Sequence, residues 1–313
     1  MRTGHAILAC AVAIGTAHAQ EGGRKIRLKV SPDADVDSIQ YTPGLLLPEE
    51  RAGLLTYYAD MPLDPYLESV SRTRRFGKYL LSDILTDEDI IEVEYKGNVF
   101  IQTGTYNDLV KVGKMAVVRQ YEEHTPEFMK SAAMQSILKH LSRSMLDMGA
   151  PVHVPFELGI HAVRLTAPGE VTPEGVHRDG YHFVLSTVIN RHCIDGGHSL
   201  VHTGKLDKPL LDVPMGPGDS LMINDRAVYH SVSNVTVAHG CALGTRDVVL
   251  VTARPWPTNA EGELVDDVTN AQLSLLEGTL EVPEPAPHEV DSSEWGMFSA
   301  MRRVLRGAIA AST

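Results

Sequence analysis

The part of the chain between residues 151 and 257 is a succession of short β-type runs separated by glycine, proline and aspartate. The runs are rich in valine, isoleucine, leucine and threonine, and they cover residues 159–167, 181–190, 199–202, 220–224, 230–235 and 247–253. Many short strands with turn residues between them are typical of an antiparallel sandwich or barrel, whereas alternating strands and helices would indicate a parallel sheet. The pattern therefore predicts a mainly β fold.

Helical patterns flank this β-rich part. Residues 48–58 begin with a proline and two acidic residues and predict a short helix. A longer helix is predicted from Pro126, with Thr125 as its cap, to about Gly149. Apolar residues return at helical spacing near the end of the chain, which predicts a helical extension over residues 258–313.

The negative net charge of the chain argues against some classes of binding partner. The 313-residue chain is 43% hydrophobic and carries a formal charge of -12, so we expect a packed core and no general attraction to nucleic acid or anionic lipid. No segment after residue 20 has the length and hydrophobicity of an integral membrane helix. A small molecule is the expected partner, and a homodimer is compatible with the sequence.

The first twenty residues have the shape of a secretory signal. Arg2 is followed by an apolar run over residues 6–17 and then by Ala17-His18-Ala19, which matches an A-x-A cleavage site. The run is too short to span a bilayer. A disordered extension or a misassigned start is the competing interpretation.

Three cysteines, Cys10, Cys193 and Cys241, are too few and too scattered for a disulfide scaffold or a cysteine-rich zinc site. Cys193 and Cys241 can form a bridge in an oxidising compartment. The base rate for buried free cysteine instead favours two reduced core thiols.

A histidine and an aspartate two residues apart, His177 and Asp179, precede the run that begins at residue 183. Alternate side chains of an extended segment point the same way, so these two share a face about 7 Å apart along the chain. Both can then reach one metal ion, and an imidazole with a carboxylate supplies two corners of a facial triad. Because the chain holds 14 histidines, this spacing does not by itself identify a metal site.

A third ligand must come from another strand, and His230 is the best placed. It follows a tight turn and a buried-strand run, at a strand start where a jelly-roll brings the far ligand beside the first two. The other histidines considered lack that context and are expected at the surface or hydrogen-bonded in the core: His182, His192, His198, His202 and His239.

An anionic co-substrate would require a cation near the metal. Arg246 opens the run 247–253, where its guanidinium can bind a carboxylate through two parallel hydrogen bonds. Arg226 and Arg254 are rivals, and a solvated arginine at a strand end is the competing interpretation.

Ordered motifs from about Tyr41 to Arg254 resemble a known family, the bacterial 2-oxoglutarate/Fe(II)-dependent dioxygenases that hydroxylate free L-amino acids, of the isoleucine 4-hydroxylase type. The matching pieces are Leu63-Asp64-Pro65-Tyr66 with Arg72, Arg74, Arg75 and Phe76; Gln102, Tyr106-Asn107 and Arg119; His161-Ala162-Val163-Arg164; Pro173-Glu174-Gly175-Val176-His177-Arg178-Asp179-Gly180; Arg191 with Gly196-Gly197; and Asp225-Arg226 with His230. The resemblance does not extend beyond Pro257.

The resemblance implies a double-stranded β-helix (jelly-roll) core with flanking helices. Residues 41–257 would be one dioxygenase domain, with a helical or mixed layer over 41–150 and the metal-binding core over 151–257. It also implies Fe(II) bound by His177, Asp179 and His230, with O2 and 2-oxoglutarate as co-substrates. Arg246 would hold 2-oxoglutarate.

The expected reaction is hydroxylation or sulfoxidation of a free L-amino acid or a derivative, with release of succinate and CO2. Tyr106, Asn107 and Arg119 are candidate substrate-binding residues because they fall in a matched block, although packing within the N-terminal layer explains them equally well. Arg74 and Arg75 are interpreted as structural salt-bridge partners.

Three positions depart from the family pattern: Cys193, His198 and Asn224. They flank the metal strands, so they bear on substrate identity more than on iron. Two other functions stay open, a non-catalytic jelly-roll that binds a metal or small anion, and the same oxygenase acting on a carrier- or peptide-bound substrate. The compartment is also open: cytoplasmic if the supply of cofactors decides, exported if residues 1–20 act as a signal.

Overall fold

A computed structural model describes residues 25–30, 36–67, 71–85, 90–101 and 118–258. The predictions for the signal-like segment 1–20, for Tyr106 and Asn107, and for helices beyond residue 258 lie outside these residues. Among the helices that are described, none is both long enough and apolar enough to cross a membrane.

The described residues form fifteen strands and three helices. In chain order they are β1 (Ile26–Leu28), β2 (Ile39–Thr42), α1 (Pro48–Ala59), β3 (Arg72–Leu81), β4 (Glu94–Gly97), β5 (Val99–Ile101), β6 (Val118–Gln120), α2 (Pro126–Lys130), α3 (Ala132–Asp147), β7 (Phe156–Ala167), β8 (Phe183–His192), β9 (Ile194–Gly196), β10 (Ser199–His202), β11 (Leu211–Val213), β12 (Ser220–Asn224), β13 (Tyr229–Val232), β14 (Val235–Val237) and β15 (Gly244–Pro255).

Two antiparallel sheets make the core. The larger has eight strands in the order β1-β2-β12-β8-β15-β7-β3-β4, and the smaller has the order β11-β10-β13. Two further strand pairs, β14-β9 and β5-β6, complete the described β structure. The predicted mainly β fold with a jelly-roll core and few helices is confirmed. Strands β1 to β4 extend the large sheet with residues N-terminal to the β-rich part of the sequence.

Side chains alternate between the two faces of each strand, so the two faces of the large sheet contact different parts of the molecule. On β15, Val249, Val251 and Ala253 face the helices and join one apolar cluster with Ile137 and Leu141 of α3. The other face of β15 presents Arg246, Val248, Leu250 and Thr252 to a cavity beneath the small sheet. One face of the sheet therefore packs against an apolar helical layer, and the other face lines the cavity.

A β-bulge interrupts the pairing between β8 and β15. Asn190 lies opposite Asp247 and Val188 lies opposite Val248, so Ile189 is an extra residue in β8. Residues that lie opposite each other in a ladder share a face of the sheet. The bulge therefore places Arg191 beside Arg246.

The longer predicted helix is interrupted. It divides at Ser131, whose backbone is extended with φ -63° and ψ 150°. The Ser131 hydroxyl accepts a hydrogen bond from the Met134 amide and donates one to the Phe128 carbonyl oxygen. The prediction of one continuous helix was wrong because this serine caps the second helix instead of continuing the first.

Cys193 and Cys241 form a disulfide that closes a separation of 48 residues. The preference for two reduced core thiols was therefore wrong, and both residues are half-buried rather than in the core. Pairing of Ile194 with Val237 across β9 and β14 brings the two loops together. The Ala238 amide also donates to the Cys193 carbonyl oxygen over 2.9 Å.

Replacing both cysteines with serine should lower the free energy of unfolding by about 4 kcal/mol, since cross-linking a loop of this length removes conformational entropy from the unfolded chain. Denaturant unfolding with and without reductant measures the effect. Reduced wild type should match the double variant. Equal stability of the oxidised and reduced wild-type protein would contradict the expectation.

Candidate functional site

His177 and His230 lie directly opposite each other although only one belongs to a named strand. They form an isolated antiparallel bridge in which each backbone amide donates to the other residue's carbonyl oxygen, over 3.0 and 2.9 Å. His230 is in β13, and His177 lies in the segment that leads to β8. The bridge brings the two rings to 4.4 Å between centroids.

Asp179 completes the group. Its Oδ1 lies 3.5 Å from His177 Nε2 and its Oδ2 lies 3.4 Å from His230 Nε2. One ligand atom from each of the three residues lies within 4.8 Å of the other two, so the group can hold a metal ion. The extended segment predicted around His177 and Asp179 directs both side chains to one point, as the alternation argument requires.

A polar oxygen lies beside the Nδ1 atom of each ring. His177 Nδ1 lies 2.9 Å from the Gly175 carbonyl oxygen, which can accept a hydrogen bond from that nitrogen and leave Nε2 to face Asp179. His230 Nδ1 lies 3.4 Å from Oδ1 of Asp225, a buried carboxylate whose other oxygen accepts from the Gly180 amide. Such outer partners orient imidazole ligands in metal sites.

The charges of the group suit a cation. Burial alone would raise the pKa of Asp179, but its contacts with His177 and His230 hold it well below the usual range. Burial alone would lower the pKa of His230, but Asp179 and Asp225 raise it to about 10. Two carboxylates that favour a proton on this imidazole equally favour a divalent cation in its place.

The three residues open into a cavity of about 170 Å³. Its floor is the non-helical face of the large sheet, where every second residue of five neighbouring strands lines the space. These are Arg72 and Arg74 of β3; His161, Val163 and Leu165 of β7; Arg246, Val248, Leu250 and Thr252 of β15; Val184 and Ser186 of β8; and Leu221 and Ile223 of β12. Most of this lining is apolar, so a bound small molecule is largely removed from water.

Arg246 is buried in this cavity, and its Nε and Nη2 atoms have no hydrogen-bond partner among the described residues. The adjacent Asp247 does not compensate the charge because it lies on the opposite face, paired with Arg164 over 2.7 and 2.9 Å. Burial and the guanidinium of Arg191 lower the pKa of Arg246 to about 10, which still leaves it charged at neutral pH. A carboxylate would satisfy both nitrogens at once.

The rival residues do not line the cavity. Arg226 is exposed and contacts His182, while Arg254 pairs with Glu157 over 3.0 Å. The five alternative histidines are likewise absent from the cavity lining. His198 contacts Asp212, for example, and Nδ1 of His202 lies 2.8 Å from the Asp207 carbonyl oxygen.

Charged residues other than Arg246 also line the cavity. Arg119, a predicted substrate residue, is there, together with Arg72, Glu174 and Arg74. Arg74 forms an ion pair with Asp64 over 4.0 Å, in agreement with its interpretation as a structural salt-bridge partner. Arg75 faces elsewhere and pairs with Glu122, in agreement with its interpretation as a structural residue. The alternation of β3 separates Arg74 from Arg75, but this required knowing that residues 72–81 form a strand.

The sequence matches a family model described as 2OG-Fe dioxygenase over residues 55–252. No curated protein matches the chain. Several solved structures do. The crystal structure of IDO from Bacillus thuringiensis is 19% identical with a TM-score of 0.56, over 70% of this chain and 95% of that one.

A bsmA homolog from Methylobium petroleophilum is 21% identical with a TM-score of 0.55, and the match covers 66% of this chain and 81% of that one. At these identities the two structures support the fold. The family match covers more than half of the chain and includes His177, Asp179 and His230, the three residues that could hold a metal ion.

Proposed function

The chain belongs to the 2OG-Fe dioxygenase family, and from that premise we propose that it oxidises a free L-amino acid or a close derivative. Enzymes of this family are dioxygenases that use Fe(II), 2-oxoglutarate and O2. The observation that carries the proposal is one buried cavity that contains a His-Asp-His group, an unpaired guanidinium fork and further arginines.

His177, Asp179 and His230 are the proposed Fe(II) ligands. Two imidazole nitrogens and one carboxylate oxygen within 4.8 Å of each other match the donor set of a 2-His-1-carboxylate facial triad. Such a set leaves coordination positions for other molecules. Asp225, behind His230, keeps the ring directed toward the other two ligands.

Arg246 is the proposed partner of 2-oxoglutarate. Its buried Nε and Nη2 form a planar fork that fits one carboxylate group, and this cation has no carboxylate partner on its own face among the described residues. The co-substrate is a dicarboxylate, so one carboxylate can bind Arg246 while its other end reaches the metal ligands that line the same cavity.

The bound iron and co-substrate supply the oxidising chemistry, with succinate and CO2 as the products of 2-oxoglutarate. The chain itself positions the bound molecules and keeps water away from them. Val163, Val248 and Leu250 line the cavity beside the ligands and exclude water from the reacting centre. The rigid sheet that carries them fixes the direction from which a substrate approaches.

The volume of the cavity and the charged residues in its lining favour an amino-acid substrate. The cavity of about 170 Å³ is below the roughly 300–1,000 Å³ of typical ligand pockets and is proposed to hold 2-oxoglutarate as well, which favours a small substrate. Arg119 lines it and can attract a carboxylate. Tyr106 and Asn107 remain proposed substrate residues on the strength of the sequence motif.

Anaerobic reconstitution with Fe(II) and 2-oxoglutarate, followed by O2 and a panel of L-amino acids, tests the function. We expect at least one amino acid to stimulate succinate release, and mass spectrometry should find it with one added oxygen atom. Iron binding with no stimulation by any amino acid would reject the substrate class. No iron binding at all would reject the assigned centre.

A further inference from the structure

Four ionisable side chains line the cavity in addition to the metal-binding group, Arg246 and the buried His161. Arg72, Arg74 and Arg119 are cationic, and Glu174 is anionic. The proposed Fe(II) and 2-oxoglutarate sites use none of the four. Asp64 offsets part of this positive charge, 4.0 Å from Arg74, and a ligand carboxylate would offset more of it.

Arg74 and Arg119 are the two buried residues among these three arginines. Its side chain is only 10% exposed, and the nearest carboxylate among the described residues, Asp64, is 4.0 Å away. Its guanidinium carbon lies 4.5 Å from the centroid of the Tyr121 ring, and its Nη2 lies 2.7 Å from His161 Nδ1. Burial and the charge of Arg74 lower the pKa of His161 well below its usual range, so that ring is neutral and accepts the hydrogen bond.

The ion pair with Asp64 and the contact with His161 leave one nitrogen of the Arg74 guanidinium without a partner among the described residues. Its Nε is buried and has no hydrogen-bond partner in the described part of the chain. The same holds for Nε of Arg72, which is otherwise held by the Val171 carbonyl oxygen over 2.8 Å. Burial, followed by repulsion from Arg74, lowers the pKa of Arg72, while Asp64 and Glu174 act in the opposite direction. An anionic group between them would relieve that repulsion.

Glu174 provides the opposite charge close to the metal-binding group. Its Oε1 lies 3.4 Å from His177 Nε2, and its side chain is 14% exposed. It is not one of the three residues whose ligand atoms all lie within 4.8 Å of each other. The carboxylate therefore lies beside the metal-binding group, on the same cavity wall as Arg72 and Arg74.

Building on the function proposed above, we propose that the substrate is a zwitterionic α-amino acid whose two charges bind separate residues. Arg74, assisted by Arg72, binds the carboxylate, and Glu174 binds the ammonium group next to His177. This mode of binding requires both charges of the substrate, so it selects free amino acids. N-acylation removes the cation that Glu174 requires, and amidation removes the anion that Arg74 requires.

A crossed binding experiment tests this assignment. The panel amino acid that gives the most succinate, its N-acetyl derivative and its carboxamide are titrated anaerobically into protein loaded with Fe(II) and 2-oxoglutarate. Wild type should bind the free amino acid about 10- to 100-fold more tightly than either derivative, as expected for one lost charged hydrogen bond. Arg74→Gln should lose the discrimination against the carboxamide only, and Glu174→Gln should lose that against the N-acetyl form only.

Matched controls come from the same elements. Arg75→Gln removes the neighbouring charge on β3 that pairs with Glu122, and Glu170→Gln removes an exposed acid near Glu174. Both should keep both discriminations. If Arg74→Gln or Glu174→Gln weakens all three ligands equally or keeps the wild-type ratios, the assigned contacts are overturned. Loss of iron from Glu174→Gln overturns them as well. Failure of every amino acid to stimulate wild-type succinate release overturns the proposed function as well, so the two failures are distinguishable.

Discussion

Replacing Asp179 with alanine should lower the affinity for Fe(II) by more than about 100-fold and abolish succinate release. Asp179 is the carboxylate that His177 and His230, the proposed histidine ligands, both contact, at 3.5 and 3.4 Å. Loss of an outer-shell partner alone typically costs 10–100-fold in metal affinity, and loss of a direct ligand should cost more. Without Asp179 the site also loses the negative charge that offsets the positive charge of the metal. Equilibrium dialysis against Fe(II) under anaerobic conditions gives the affinity.

His182→Ala is the matched control for this prediction. His182 was a rival ligand, and it contacts Arg226 outside the cavity. Its replacement should leave the iron affinity within about twofold, as is usual for substitutions away from a site. Tight iron binding by Asp179→Ala, or loss of iron from His182→Ala, would show that the metal lies elsewhere.

Replacing Arg246 with alanine should raise the KM for 2-oxoglutarate by about 100-fold or more. The change removes a buried guanidinium whose Nε and Nη2 are proposed to bind one carboxylate of the co-substrate. Removing one partner of a buried ion pair costs about 3–5 kcal/mol because the other charge stays buried without compensation. Arg246→Lys keeps the charge but not the fork, so its KM should lie between those of the wild type and Arg246→Ala. Initial rates of succinate formation at varied 2-oxoglutarate measure the series.

Arg226→Ala and the iron content provide the controls for this series. Arg226 is an exposed rival of Arg246, and its loss should not change the KM for 2-oxoglutarate. Iron affinity should be similar in the wild type, Arg246→Ala and Arg246→Lys, since Arg246 is not one of the three residues that could hold a metal ion. An unchanged KM in Arg246→Ala would reject the co-substrate assignment.

Local sequence patterns predict the β-rich part of this fold well. Each apolar run after residue 151 contains a strand, and the spacing of His177 and Asp179 correctly predicts two side chains on one side of the chain. These properties depend on alternation over a few residues, which a sequence displays directly. The pairing of His177 with His230 depends on contact between distant segments, and the ordered family motifs predict it better than strand propensity does.

Features that depend on long-range pairing were harder to predict. In the sequence, residues 72–81 resemble an exposed arginine-rich segment, because the residues that line the cavity are as polar as residues on a solvated surface. Only the antiparallel pairing of β3 with β7 shows that Arg72 and Arg74 face inward while Arg75 does not. The disulfide similarly depends on the pairing of β9 with β14, which two isolated cysteines in a sequence cannot reveal.

The single extra residue in β8 constrains how this sequence can vary. With unbroken alternation from Val188, Arg191 would point toward the helical layer, where Asp247 and Arg164 already pair. Deleting one residue between Val188 and Arg191 would exchange the faces of all later residues of the strand, whereas a substitution there alters one contact. In an alignment of functional relatives, this stretch should therefore vary in residue type but show no gaps, and engineered libraries should hold its length constant.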